Sequence, residues 1–175
     1  MSIQIIKQTR AYLLITIFLL LGVLSGCAAT GATYAKHISE ASPQDASKAR
    51  LVVFRTRENS QYAARAVSVK VNGEGMGSCE YAGFKVLDVA AGKHTLTVDI
   101  WDSPGTCNLP IEIAAGGEYF FEINPRSGNL LGAMLGGIVG AAIESSGKQC
   151  GGAFEVTAIE KNVAISKLTD LKMSQ

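Results

Sequence analysis

Histidine is scarce: this chain of 175 residues holds two, His37 and His94. That scarcity limits the chemistry before any fold is considered. A Ser-His-Asp site needs an imidazole held between a nucleophile and an orienting acid, and no nucleophile motif accompanies either histidine. Scattered carboxylates around one domain histidine give a zinc centre little support, so no metal and no cofactor are expected. Four cysteines stand at positions 27, 79, 107 and 150, and no two of them form Cys-x-x-Cys. The redox-catalytic and zinc readings lose their usual signature with it. Strong charge of one sign is missing too, with 16 basic against 15 acidic residues. No basic face is implied, and nucleic acid is not an expected partner. Together these absences point away from an enzyme.

What is present begins with a short basic stretch, Lys7 and Arg10, followed by a nearly unbroken apolar run from Ala11 to Leu24. The run is about fourteen residues long, within the range of a signal h-region and short of the roughly twenty that a spanning helix needs. Leu24-Ser25-Gly26-Cys27 closes it and reads as a lipobox. Residues 1–26 would then be a signal peptide. Cys27 would carry a diacylglycerol through its sulfur and become the first mature residue. The alternative is an uncleaved transmembrane anchor with an incidental cysteine; run length, flanking charge and the four-residue box favour lipidation. One acyl chain binds marginally and two anchor firmly, so lipidated Cys27 would hold the membrane with no helix in the bilayer. Ala28 follows Cys27, and no Asp is there. By resemblance to the sorting rules of Gram-negative lipoproteins, that points to the outer membrane, facing the periplasm.

Loss of the signal removes Lys7 and Arg10, leaving 14 basic residues against 15 acidic and a net charge of −1. The remaining chain, about 149 residues, suffices for one domain. Residues 27–49 read as a flexible tether, rich in Ala, Ser, Thr and Gly with no steady apolar period. As a coil it would span on the order of 25 Å. His37 lies within it and is expected to be solvated.

From residue 50 to 171 the period changes to two. Leu51 to Arg57 is a first strand, apolar through Phe54 and then basic at Arg55 and Arg57. Arg65 to Asn72 alternates, with Val67, Val69 and Val71 on one face. Asn72-Gly73 is a strong hairpin signal, since both residues tolerate positive φ, and Met76 to Cys79 is the return strand. Phe84 to Val89, His94 to Trp101, Leu109 to Ile113, Tyr119 to Ile123 and Ala153 to Ile159 follow, with Ala90-Ala91-Gly92-Lys93 and Ala114-Ala115-Gly116-Gly117 as turns. Leu96, Val98 and Ile100 should face inward. Asn162 to Leu171 is a short C-terminal helix with Ala164, Leu168 and Leu171 on one stripe. About seven short strands predict an all-β fold, an antiparallel β-sandwich. Direct hairpin links favour neighbouring antiparallel pairs.

Val69-Lys70-Val71-Asn72-Gly73 with Gly77, then Val86 through Asp88-Val89-Ala90-Ala91-Gly92-Lys93-His94-Thr95, then Ala114-Ala115-Gly116-Gly117-Glu118-Tyr119-Phe120 stand in a recognisable order. This order resembles a family of uncharacterised domains common in bacterial lipoproteins, related in pattern to PEGA-like small β-sandwiches. The resemblance covers roughly Leu51 to Leu168. Where such domains commonly carry Pro-Gly in the first turn, this chain has Ala91-Gly92. The resemblance implies a fold and transfers no activity and no functional residue.

Three cysteines remain after lipidation, and the envelope is oxidising, so one structural disulfide is expected. If strands alternate up and down, Cys79, Cys107 and Cys150 fall at the same end. Cys107–Cys150 is favoured, because the strands beginning there should flank the one ending at Asn124; Cys79–Cys107 is the alternative. One thiol is left over, free or paired between molecules. His94 follows a turn beside Lys93 and reads as a surface turn residue.

Gly128, Gly132, Gly136 and Gly140 recur every four residues within a glycine-rich insertion, 128–143. That spacing places them along one helix face. Each Gly costs a helix roughly 1 kcal/mol against Ala, so a helix here needs something packed on the stripe. Leu130 to Ile143 would span about 21 Å, less than the roughly 30 Å hydrocarbon core. The segment could pack on its own domain, on another subunit or on lipid, or be a mobile glycine-rich loop. The sequence therefore supports a lipid-anchored, non-enzymatic envelope module with an envelope protein partner. A self-assembling or membrane-interacting protein, forming a homo-oligomer through the stripe, is the rival.

Gly132→Leu or Gly136→Leu separates the two. Packing on the protein's own domain predicts a loss of about 1–3 kcal/mol from overfilling, with oligomeric state unchanged by light scattering. Unchanged stability with lost assembly or lost vesicle flotation would show the rival instead.

Overall fold

The computed structural model describes residues 28–40, 45–126 and 150–175. Cys27, the signal region and the glycine stripe Gly128, Gly132, Gly136 and Gly140 lie outside these residues. Among the described residues, nine strands run in chain order: β1 (Lys48–Phe54), β2 (Val67–Val71), β3 (Glu74–Cys79), β4 (Gly83–Ala90), β5 (Gly92–Asp99), β6 (Cys107–Ile113), β7 (Glu118–Pro125), β8 (Phe154–Ile159) and β9 (Lys172–Met173). Two short helices accompany them among the same residues, α1 (Tyr34–Glu40) before β1 and α2 (Lys161–Leu168) after β8. The strands form a five-stranded sheet in the order β8-β7-β1-β4-β9 and a four-stranded sheet in the order β3-β2-β5-β6. The fold is an all-β sandwich, as the alternation predicts.

Its centre is β1. Leu51 and Val53 point between the sheets and pack with Val69, Leu96, Val98 and Phe121. Val52 and Phe54 point the other way, into a second cluster with Phe84, Phe120, Tyr34 and Leu168. All four residues from Leu51 to Phe54 are fully buried. A strand covered on both faces reads as a continuous apolar run rather than an alternation, which is the pattern Leu-Val-Val-Phe presents. β2, by contrast, buries Val67, Val69 and Val71 and leaves Ser68 and Lys70 partly exposed.

The pairing is not purely antiparallel. β1 runs antiparallel to β4, with Val52 opposite Val86, but parallel to β7, with Val52 opposite Phe120. β4 and β9 are also parallel. The expectation that direct hairpin links favour neighbouring pairs holds at some turns and not at others. Asn72 and Gly73 do close the β2–β3 hairpin, both at positive φ of 52° and 83°. The turn at Ala91-Gly92 instead carries the chain from one sheet to the other, because β4 and β5 lie in different sheets. Gly92, at φ 135°, makes the corner where a side chain would be strained. Ala114 to Gly117 likewise crosses between sheets, from β6 to β7.

The tether reading needs a larger correction. Residues 28–40 are folded against the sandwich. Ala28 bridges Tyr81, Thr33 bridges Lys172, and α1 follows. Tyr34 is buried and meets Phe84 edge-to-face at 5.4 Å. His37 is half-buried, its ring 5.8 Å from Phe84. The segment lacks a long apolar period because it presents few anchoring side chains, and backbone hydrogen bonds do the rest. α2 matches its expectation, with Ala164 and Leu168 buried and Leu171 just beyond its end.

Tyr34 should therefore stabilise the domain. Tyr34→Ala is expected to cost about 3 kcal/mol in urea unfolding, and a chain trimmed to begin at Ala49 should lose at least as much. Unfolding midpoints unchanged by either alteration would show that α1 contributes nothing to the fold.

Candidate functional site

At one end of the sandwich β1, β3, β5 and β7 finish and β2, β4, β6 and β8 begin. Arg55, the first residue after β1, is only 2% exposed. Its Nη1 donates to the Arg65 carbonyl at 2.5 Å and its Nη2 to the Tyr62 carbonyl at 3.2 Å. The guanidinium lies 4.7 Å from the Phe154 ring centre and 6.0 Å from that of Tyr81. Burial lowers its pKa, though arginine remains protonated at any ordinary pH. Its acceptors are carbonyls of the 55–66 loop, so the charge gathers that loop over the end of the core. Tyr62, held at φ 58°, packs against Phe154 with ring centres 5.4 Å apart and planes tilted by 51°. Arg65 pairs with Asp102 and lies over the Trp101 ring at 5.8 Å. Trp101 itself is 85% exposed. The sequence placed Arg55 as the basic end of a strand and missed its burial. The available signal was its position, directly after four apolar residues with both faces covered.

The cysteines settle at this end as well. Cys107 and Cys150 form a disulfide. The pairing agrees with the favoured reading, but its geometric reason differs. β6 does not flank β7; it is an edge of the opposite sheet, and the disulfide ties that edge to the chain leading into β8. Gly151 and Gly152 donate to the Thr106 carbonyl beside it, and Arg126 Nη1 donates to the Gly152 carbonyl at 2.9 Å. A Cβ at Gly152 would fall 2.8 Å from the Gly105 carbonyl oxygen. Cys79 takes no part and is a free, fully buried thiol, its Sγ 3.5 Å from the Gly83 carbonyl. Burial pushes its pKa up to about 12, with the Arg55 charge opposing. A thiol held protonated is a poor nucleophile, and one with no surface cannot pair between molecules.

The opposite end carries His94 and an open groove of about 470 Å³ lined by Asn72, Lys93, His94, Thr95, Ile111 and Glu112. His94 Nε2 lies 2.8 Å from the Ala90 carbonyl, and Nδ1 lies 2.9 Å from Asn72 Nδ2. A carbonyl only accepts, so Nε2 carries the proton and Nδ1 accepts from the Asn72 amide. Asn72 Oδ1 in turn accepts from the Thr95 amide at 2.9 Å. Both ring nitrogens are occupied, and His94 acts as a clamp joining the β2–β3 hairpin to the β4–β5 corner. Among the described residues, no three His, Cys, Asp or Glu side chains group to hold a metal ion.

Under α2, Glu122 is 3% exposed and accepts from Lys167 Nζ through both oxygens, at 2.9 and 3.0 Å. Removing Lys167 would leave a buried carboxylate without that partner, which is costly. On β1 and β4, Arg50 and Asp88 form a two-pronged pair at 3.0 and 3.2 Å. These ion pairs fix α2 and the strand register.

The architecture defines a small β-sandwich domain, fastened at one end by a disulfide and a buried arginine and clamped at the other by a histidine. The chain belongs to the DUF2846 family, described as a protein of unknown function, whose pattern matches residues 45–138. That match takes in β1 to β7, including the whole four-stranded sheet. The resemblance to an uncharacterised domain family is thereby established. Comparison with curated proteins finds no match.

Native protein should show one disulfide, Cys107–Cys150, in non-reducing peptide maps, with Cys79 labelled by iodoacetamide only after unfolding. The Cys79 pKa is about 12 when folded and ordinarily 9.0. Its contribution to stability is therefore complete below pH 9 and lost as pH rises towards 12, at up to roughly 1.4 kcal/mol per pH unit. Buried Tyr34, also raised to about 12, adds to the loss above pH 10. Cys79→Ala should flatten the slope between pH 9 and 10; an unchanged slope would contradict the assignment.

Proposed function

We propose that the protein is a lipid-anchored cell-envelope domain that binds or supports another envelope component without catalysis. The observation that carries this reading is Leu24-Ser25-Gly26-Cys27, closing an apolar run directly before the folded domain. Several features support it. The Cys107–Cys150 disulfide suits an oxidising compartment. The buried thiol of Cys79 and the doubly bonded ring of His94 are committed to structure. Among the described residues, no helix is long and apolar enough to cross a membrane. With Ala28 after the cysteine, the outer membrane of a Gram-negative envelope is the proposed site, with the domain on the periplasmic side. The rival, self-assembly through the Gly128 to Gly140 stripe, rests on spacing alone.

Replacing Cys27 by Ser should abolish acylation, because an oxygen cannot form the thioether, and should move the protein from the membrane to the soluble fraction. Mass spectrometry of the mature N-terminus decides the matter. An unmodified Cys27, or a retained residue 1–26 segment, would refute the anchor.

A further inference from the structure

Residues 28–33 are stitched to the domain by backbone hydrogen bonds. The Ala29 amide donates to the Tyr81 carbonyl at 3.1 Å, and Gly31 and Met173 are linked by the Gly31 amide donating to the Met173 carbonyl at 3.1 Å. The Met173 amide donates to the Ala32 carbonyl at 2.8 Å. Ala29 is buried, and a Cβ at Gly31 would meet the Met173 carbonyl oxygen at 2.5 Å. No slack therefore lies between the fold and the residue before it. Consecutive Cα atoms are about 3.8 Å apart, so the sulfur of Cys27 stays within a side chain's reach of Ala28. A coil of on the order of 25 Å would have let the domain turn freely above the headgroups. A fixed attachment point does not.

Ala28 lies beside Tyr81, in the β3–β4 connection. That connection belongs to the end holding Arg55, the disulfide and Trp101. Val67 pairs with Cys79 on one side, and Ser68 pairs with Asp99 on the other, two residues before Trp101. The Tyr81 hydroxyl also donates to the Arg57 carbonyl at 3.0 Å, tying the same connection to the 55–66 loop. Trp101 is the chain's single tryptophan and stands 85% exposed. A tryptophan ring with an apolar body and one N–H donor suits the boundary between headgroups and acyl chains. Its neighbour Arg65 is already paired with Asp102 and lies 5.8 Å from the ring centre, so no unpaired charge comes with the indole from that side. The other end presents Lys93, Glu112 and the polar clamp of Asn72 and His94.

We propose that the end of the sandwich carrying Ala28, Tyr81 and Trp101 lies against the lipid bilayer, with Trp101 in its interface. This rests on lipidation of Cys27 and adds an orientation to it. The groove at Lys93 and Glu112 then faces away from the membrane.

The full-length lipidated protein, reconstituted in phosphatidylethanolamine and phosphatidylglycerol vesicles containing brominated phospholipid, tests the orientation through Trp101 fluorescence. Mass spectrometry of the same sample reports acylation separately. The expected result is a blue-shifted emission, quenching by the brominated lipid, and a several-fold drop in acrylamide quenching relative to the Cys27→Ser protein in solution. In the lipidated Trp101→Phe, Ala115→Trp variant the reporter sits at the opposite end and should stay accessible to acrylamide and unquenched by lipid. Acylated protein whose Trp101 is unquenched, or whose two ends are quenched alike, overturns the orientation while leaving the anchor intact. Absence of acyl chains on Cys27 overturns both.

Discussion

Burial of β1 on both faces is the constraint from which the remaining architecture follows. A strand with Leu51 and Val53 on one side and Val52 and Phe54 on the other cannot sit at the surface of a two-layer sandwich with one side wet. The four-stranded sheet covers the first pair. The second pair needs a third layer, which the chain assembles from its extremities: α1 from before the sheets, α2 and Leu171 from after them. Tyr34, Ala164, Leu168 and Leu171 supply the apolar contacts, and Glu122 with Lys167 fixes the position of α2. The same central position requires a neighbour on each edge of β1, met by β4 antiparallel and by β7 parallel.

This layering explains what could be read from the sequence and what could not. Strands with one wet face announced themselves by alternation: Val67, Val69 and Val71, or Leu96 and Val98, are buried as their period requires. Asn72-Gly73 specified its own hairpin, since few other pairs adopt that backbone without strain. The Ala91-Gly92 turn chemistry was equally legible, but a glycine at positive φ permits a sharp corner without stating which sheet the next strand joins. Nor does parallel pairing of β1 with β7 leave a local mark, because the partners are joined through five intervening strands. Residues 28–33 were opaque for another reason. They are held through main-chain amides and carbonyls, which every sequence possesses. Only Tyr34 hinted at burial.

The site residues divide along the same line. Cys107 and Cys150 were paired correctly from compartment and strand direction, though the sheet each belongs to was not recoverable. His94 was placed correctly at a turn, yet its role as a clamp depends on Asn72, distant in sequence and adjacent only after the sheets close. Arg55 shows the limit most clearly. A basic residue after an apolar strand ordinarily marks an emergence into solvent, and here it marks a cation whose acceptors are backbone carbonyls. Family membership agrees with the turn motifs and adds no activity. The two ends of the sandwich thus differ, one fastened by a disulfide and a buried cation, the other by the His94–Asn72 hydrogen bonds beside the Arg50–Asp88 and Lys161–Glu118 ion pairs.

The parallel union of β1 and β7 also bears on how the chain is made. A ribosome delivers Leu51 to Phe54 early, whereas Tyr119 and Phe120, the partners of Leu51 and Val52, arrive only after β2 to β6. The antiparallel partner β4 comes sooner, but one edge of the most apolar strand stays open until β7 has appeared. Nonlocal pairing of this kind slows folding, and an unpaired apolar edge invites association with other chains in the interval. The segment that organises the finished domain is thus also its greatest hazard during biogenesis, and the point at which a holding chaperone would have most to protect.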